Sequence, residues 1–374
     1  MTNMLDYLTW RGDLTFTQDP VNCVDALVFS ALSYIRYAGT LETDPDAAVT
    51  LKEAAEELFS REDLALRCRN ENHLELLHRA AQSLRFGNAR LCMYRDHLTP
   101  EQETQFAAVT FLLDDGTMFL AFRGTDGTLI GWKEDFNMSF QQVVPAQLLA
   151  EQYTKKVGDA YALPMRLGGH SKGGNLAVFA AAKSAPTLQK RILEVYNNDG
   201  PGFTGYLMGD PGYLAMVPRI KTYVPQSSVV GMLMEHEEPY TVIRSKSVGI
   251  MQHDPYSWEV VGPGFIPVPK ITQSSVFLDA TIKAWCAEMT DQERNSIVDA
   301  MYQILSAEGA EKVSDIFQPK YIPSYIKAIG EDEVLRKELS SKLAALFDAA
   351  KSARGKLEGR QKSQEEPKAP LGLE

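Results

Sequence analysis

Apolar positions recur at helical spacing through the first 87 residues. Residues 25–37 (DALVFSALSYIRY), 51–59 (LKEAAEELF) and 74–84 (LELLHRAAQSL) each carry an apolar stripe, and each predicts a helix. The acidic stretch between the first two, with Asp44-Pro45-Asp46, reads as a loop. The pattern then changes. ARLCMYRD and QFAAVTFLLDDGTMFLAFRG are rich in β-branched and aromatic residues and predict strands, the last two joined by a hairpin at Asp114-Asp115-Gly116. A helix over 145–158, a short apolar strand (MRLGG), an Ala-rich helix (GGNLAVFAAAKSA) and two strand-to-loop segments (LEVYNNDGPG and IKTYVPQ) follow. Such alternation predicts a mainly parallel central sheet covered by helices. The expected organisation is one α/β domain over 1–270 with a helical lead-in at 1–87, a helical C-terminal region at 271–352, and a charged, disordered tail at 353–374. The lead-in either caps a pocket or covers the sheet.

Composition narrows the class. A chain of 374 residues with 44% hydrophobic and 23% charged residues can bury a core, which excludes a fibrous or mostly disordered protein. Lys and Arg number 38 against 49 Asp and Glu, a net charge of −11 that speaks against nucleic acid as a partner and against attachment to anionic lipid by charge alone. The four cysteines, Cys23, Cys68, Cys92 and Cys286, show no CxxC spacing, so thiols are expected rather than a zinc site or a disulfide framework. No apolar run of about 18 residues predicts a spanning helix, and MTNMLDYLTWRGDLTF does not read as a secretory signal. The expectation is a soluble cytoplasmic protein.

The sharpest chemical signal is Gly169-His170-Ser171-Lys172-Gly173-Gly174, set between the apolar strand and the Ala-rich helix. G-x-S-x-G in that strand–turn–helix context is the pattern of a nucleophile elbow. A sharp turn lifts the Ser171 hydroxyl, the flanking glycines leave room for neighbouring backbone, and the following helix aims its N-terminal amides at the reaction centre. The Lys172 amide is then one oxyanion donor. The segment lacks the spacing of a phosphate-binding loop. Upstream, Phe122-Arg123-Gly124-Thr125-Asp126 ends a predicted strand and is followed by Trp132 and Asp135. Thr125 is placed to supply a second oxyanion donor; alone, the segment also reads as a strand end whose Arg123 pairs with a carboxylate.

Taken together, Phe-Arg-Gly-Thr, a Trp and an Asp three apart, and Gly-His-Ser-x-Gly-Gly resemble the fungal-type (class 3) lipases. The chain more closely resembles a bacterial family of lipase-like hydrolases, which shares the N-x-x-D-A-L helix (Asn22, Asp25), the Ser-x-Arg-Phe segment (Ser83, Phe86) and a late His-Asp…Trp (His253, Asp254, Trp258). The resemblance spans roughly residues 5–265 and implies an α/β-hydrolase fold and carboxylic-ester hydrolysis.

A serine nucleophile needs a base and a carboxylate to orient it, in the chain order Ser, acid, His. Two histidines follow Ser171. His236 in MEHEEP reads as part of a solvated loop, so His253, which also matches the late histidine of the resembled family, is the expected base. The loop after IKTYVPQ, where class 3 lipases place their acid, offers Ser227 and Ser228 but no carboxylate. Asp199, at the end of the strand after the elbow helix, is the expected acid. It resembles the acid position of pancreatic-type lipases, and an ordinary Asx-turn is the competing reading. Asp254 is the alternative acid, poorly placed because neighbours in an extended loop point apart. His170 is expected to pack beneath the turn. Met216, Val229, Val230, Met232, Leu233 and Met234 read equally as an acyl surface or as core. The expected function is a serine esterase or lipase acting on a small-molecule or lipid ester without metal or organic cofactor. A non-catalytic binding protein on the same fold is the alternative, and contact with a lipid surface stays open.

Overall fold

Short-range capping starts the helices of the lead-in. α1 (Met4–Arg11), α2 (Cys23–Leu32) and α3 (Leu51–Ser60) open on Asn3, Asn22 and Thr50, each in a reciprocal capping box with Asp6, Asp25 and Glu53. α4 (Leu64–Arg67), α5 (Glu71–Gln82) and α6 (Leu84–Gly87) complete it. The computed structural model describes residues 2–302 apart from 69, 100–103, 127–128, 139–140, 288, 291, 295, 297 and 300–301. The expected helices beyond 302 and the tail at 353–374 lie outside the described residues.

Eight strands form one sheet in chain order: β1 (Val49–Thr50), β2 (Arg90–Thr99), β3 (Thr104–Leu112), β4 (Met118–Phe122), β5 (Met165–His170), β6 (Ile192–Asn198), β7 (Ile220–Pro225) and β8 (Tyr240–Ile243). Neighbours are antiparallel as far as β4 and parallel from β4 to β8, so only β1 and β3 run against the rest. The β3–β4 hairpin turns where expected, with Gly116 at φ 76°. The period-2 alternation of β4 divides two cores. Met118, Leu120 and Phe122 join one with α8 (Pro145–Ala160), α9 (Lys172–Lys183) and α11 (Pro211–Met216); Phe119 and Ala121 join the other with the lead-in. In the lead-in, α2 packs on β4, β5 and β6.

α7 (Leu129–Asn137) connects β4 to the α8 face, and the short α10 (Pro186–Gln189) leads into β6. Beyond β8, a small hairpin of β9 (Val260–Val261) and β10 (Gly264–Phe265) precedes α12 (Gln273–Ala287). The expected α/β-hydrolase architecture is present, with the elbow at the C-terminal end of the parallel strands. No described helix is long and apolar enough to cross a membrane.

Candidate active site

β5 ends at His170 and α9 begins at Lys172, so Ser171 alone makes the turn. Its backbone sits at φ 58°, ψ −135°, a conformation that L-residues rarely hold and that costs on the order of 1–3 kcal/mol. Close packing holds it there. A Cβ on Gly169 would lie 2.2 Å from the Gly173 carbonyl carbon, and one on Gly173 would lie 2.1 Å from the Phe122 oxygen. The Ser171 amide donates to the Asn198 carbonyl at 3.0 Å, tying the turn to the end of β6.

The next residue after that strand end is Asp199, fully buried and left-handed at φ 53°. Its two carboxylate oxygens have different partners. His253 Nδ1 donates to Oδ2 at 2.6 Å, and the Ser228 hydroxyl donates to Oδ1 at 2.5 Å. Ser228, in the loop after β7, thus supports the carboxylate that follows the preceding strand. His253 lies at the end of a 3-10 turn, Gly249–His253. Gln252 pins that turn, accepting from the Ser227 amide at 2.7 Å and, through its carbonyl, from Trp258 Nε1 at 2.8 Å. With its Nδ1 proton on Asp199, His253 in the neutral state keeps Nε2 as a proton acceptor.

His170 sets His253 beside the elbow. The Tyr34 hydroxyl donates to His170 Nδ1 at 3.0 Å, and His170 Nε2–H donates to the His253 carbonyl at 2.8 Å. The two imidazole rings lie 4.6 Å apart. Gly124, at the end of β4, packs against the same turn: a Cβ there would lie 2.5 Å from the His170 oxygen and 3.2 Å from Ser171 Cβ. Thr125 follows, its hydroxyl donating to Asp135 Oδ2 at 2.5 Å. Arg123 is itself buried and pairs with Asp96 at 2.8 Å. Asp254, the alternative acid, accepts from the Tyr256 amide at 3.1 Å and caps the next turn.

Sequence reasoning missed two buried charge clusters. Lys172 contributes more than an amide: its ammonium is 1% exposed, donating to Glu134 at 2.8 Å and to the side chain and carbonyl of Gln105 at 2.9 and 3.0 Å. It also lies 3.9 Å from Asp135 Oδ1, an oxygen shut off from water with no hydrogen-bond partner among the described residues. Burial pushes the Asp135 carboxyl up to about 6, against the opposing pull of Lys172 and Thr125. A third of its side-chain surface still reaches water (33%), so this residue is not sealed in the core. The second cluster contains His236, which was expected in a solvated loop. Its side chain is only 7% exposed and pairs with the buried Glu238. Of the apolar residues between acid and base, Met216 is buried in the helix-covered core and Met232 packs near Val224.

Comparison with known proteins places these residues in context. The family model described as Mbeg1-like matches residues 80–303, more than half of the chain. No curated protein matches it. Among solved structures, the chain is similar to the Rhizomucor miehei lipase propeptide complex at 14% identity, covering 62% of this chain and 76% of that one with a TM-score of 0.37. It is similar to lipase II from Rhizopus niveus at 16% identity, covering 53% and 83% with a TM-score of 0.32. The corresponding values for the M37 lipase are 11% identity, 81% and 97% coverage, and a TM-score of 0.35.

Proposed function

The chain belongs to the Mbeg1-like family, and for this member we propose a serine hydrolase that cleaves carboxylic esters through an acyl-enzyme. One observation carries the reading: an imidazole bonded at 2.6 Å to a buried carboxylate is tethered through its own carbonyl, at 2.8 Å, to His170, the residue before a serine in a strained strand–helix turn. In the proposed reaction Ser171 Oγ attacks the ester carbonyl and His253 Nε2 takes its proton. The tetrahedral oxyanion is received by the Thr125 and Lys172 amides, the latter belonging to the first turn of α9. On collapse His253 returns the proton to the leaving alcohol. Water, activated by the same imidazole, then releases the acid. Asp199 keeps the proton of His253 on Nδ1 and stabilises the imidazolium. Val248, Ile250 and Met251 stand 80%, 64% and 65% exposed on the turn leading to His253, which supports esters with hydrocarbon arms.

The test is labelling of the full chain by a fluorophosphonate probe, with Ser171→Ala alongside. Labelling of the wild type alone is the expected result. If a folded wild type stays unlabelled with and without detergent, the esterase reading is lost and the binding-protein reading takes its place.

A further inference from the structure

The His236 cluster has no part in the reaction just described, yet hydrogen bonds at the two backbone groups of Gly231 and at Ser228 link it to Asp199. His236 Nε2 donates to the Gly231 carbonyl at 3.0 Å, and the Gly231 amide donates to the Ser228 hydroxyl at 3.1 Å. Ser228 donates in turn to Asp199 Oδ1 at 2.5 Å. On its far side His236 Nδ1 faces Glu238 Oε1 at 3.2 Å. From this line we propose that His236, paired with Glu238, is a positioning residue for the Asp199–His253 pair and acts through Gly231 and Ser228. The inference rests on the esterase reading for its kinetic consequences, although the positioning itself does not require turnover.

Counting protons gives the argument its direction. A backbone carbonyl and a carboxylate both only accept, so both hydrogen bonds of His236 are made only when both ring nitrogens carry protons, that is, by the imidazolium. Glu238 is built to be the anion. The Thr222 hydroxyl donates to its Oε1 at 2.6 Å and the Tyr213 hydroxyl to its Oε2 at 2.5 Å. Burial pushes the Glu238 carboxyl up, but His236 and the two hydroxyls outweigh it and hold the group below the usual range. The other charged groups about this pair among the described residues are Glu235 and Glu237 on the same loop and Asp279 and Lys283 on α12, with Lys283 bridging Glu235 at 3.0 Å and Asp279 at 3.4 Å.

The line leaves little slack where it meets the acid. A Cβ on Gly231 would lie 2.3 Å from Asp199 Oδ1 and 3.1 Å from Ser228 Oγ, so the 3-10 turn Val230–Met232 is pressed against the carboxylate. Ser228 can give its single proton to Asp199 because its acceptor site is filled by the Gly231 N–H, and His236 holds the carbonyl on the other side of the same Gly231 Cα. Removing the His236 side chain frees the Gly231 carbonyl, and with it the turn that holds Ser228 against Oδ1.

The experiment compares wild type, His236→Gln, Ser228→Ala and the double variant in the full chain. In NMR with labelled histidine, His236→Gln is expected to shift the His253 Nδ1 proton resonance, and an unmoved resonance overturns the proposal whether or not the protein turns over ester. In kinetics each single variant is expected to lower kcat several-fold with KM little changed, and the double to be no worse than the poorer single. Additive losses overturn the proposal. A wild type whose Ser171 takes no fluorophosphonate removes the esterase reading instead and leaves the NMR result to decide.

Discussion

Lys172 donates three hydrogen bonds from a place almost sealed from water, and the way its charge is shared decides how Asp135 behaves. Glu134 takes most of it and also accepts from the Gln105 and Ala146 amides, both at 3.1 Å. Asp135 feels the remainder from 3.9 Å, too far for a hydrogen bond. Its carboxyl is therefore expected to titrate near about 6, and higher in a Glu134→Gln/Lys172→Met double variant, which removes the ammonium and leaves no buried charge unpaired. Carbon-13 NMR of the carboxyl checks both, and a midpoint at the ordinary carboxylate value would show that this account is wrong. Lys172→Met alone strands Glu134 and is expected to cost about 3–5 kcal/mol in urea unfolding. The sign for Asp135 is the reverse of that for an ion-paired acid. A carboxyl whose folded-state value is raised favours folding at low pH, and this contribution declines as pH rises from its ordinary value to about 6. Asp135→Asn is expected to abolish that decline, which stability curves at several pH values would reveal.

The elbow is a property of elements, because β4, β5 and α9 meet there with no room for a methyl group. Gly173→Ala drives a Cβ to 2.1 Å from the Phe122 oxygen of β4, and Gly169→Ala drives one into the first turn of α9. Each is expected to abolish fluorophosphonate labelling and to cost at least the 1–3 kcal/mol typical of overpacking. Gly205→Ala, which meets nothing within 4 Å, is the control and is expected to stay within about 0.5 kcal/mol of wild type. The elbow was legible in the sequence because its constraint is local: two glycines, a serine, a strand before and a helix after. The capping boxes of α1, α2 and α3 are equally local, although only the last two helices carry enough apolar periodicity to be read. β8 was not legible, since Tyr240–Ile243 is exposed at two positions and buried at two, without alternation. β1 has two residues and exists only by pairing with β2. α7 and the His236 loop were hidden for one shared reason. Glu134 and Lys133 pair with Lys172 and Asp299 on other elements, Glu238 draws the Tyr213 and Thr222 hydroxyls from other elements besides His236 on its own loop, and a charged run without visible partners reads as a solvated surface. Asp199 and His253 could be named singly, but their meeting across 54 residues of chain is a tertiary fact.

At the scale of the whole molecule, two motifs far apart in sequence turn out to be the two halves of one buried contact. Asp25, in the N-x-x-D-A-L helix, and Arg85, in the Ser-x-Arg-Phe segment, form an ion pair of 2.5 Å with both side chains 0% exposed, and the Tyr7 hydroxyl donates to the same carboxylate at 2.8 Å. Arg85 does more than neutralise Asp25. It donates to the carbonyls of Leu14, Thr15, Asp19 and Pro20, closing the loop between α1 and α2. Arg85→Met is therefore expected to cost about 3–5 kcal/mol, as for any buried pair broken on one side. The double variant Asp25→Leu/Arg85→Met removes the stranded charge and would recover the loss if the pair were only an ion pair. Here it is expected to remain destabilised, because the carbonyls lose their donor and each unsatisfied group costs about 1–3 kcal/mol. The core beneath these helices is continuous with Phe111, Phe119 and Tyr196 of the sheet, so the lead-in should not melt on its own. Urea unfolding followed by tryptophan fluorescence and by Ser171 labelling is expected to give one midpoint by both probes, in wild type and in the variants. Labelling that is lost at a different urea concentration from the fluorescence change would mean that the chain does not unfold as one cooperative unit.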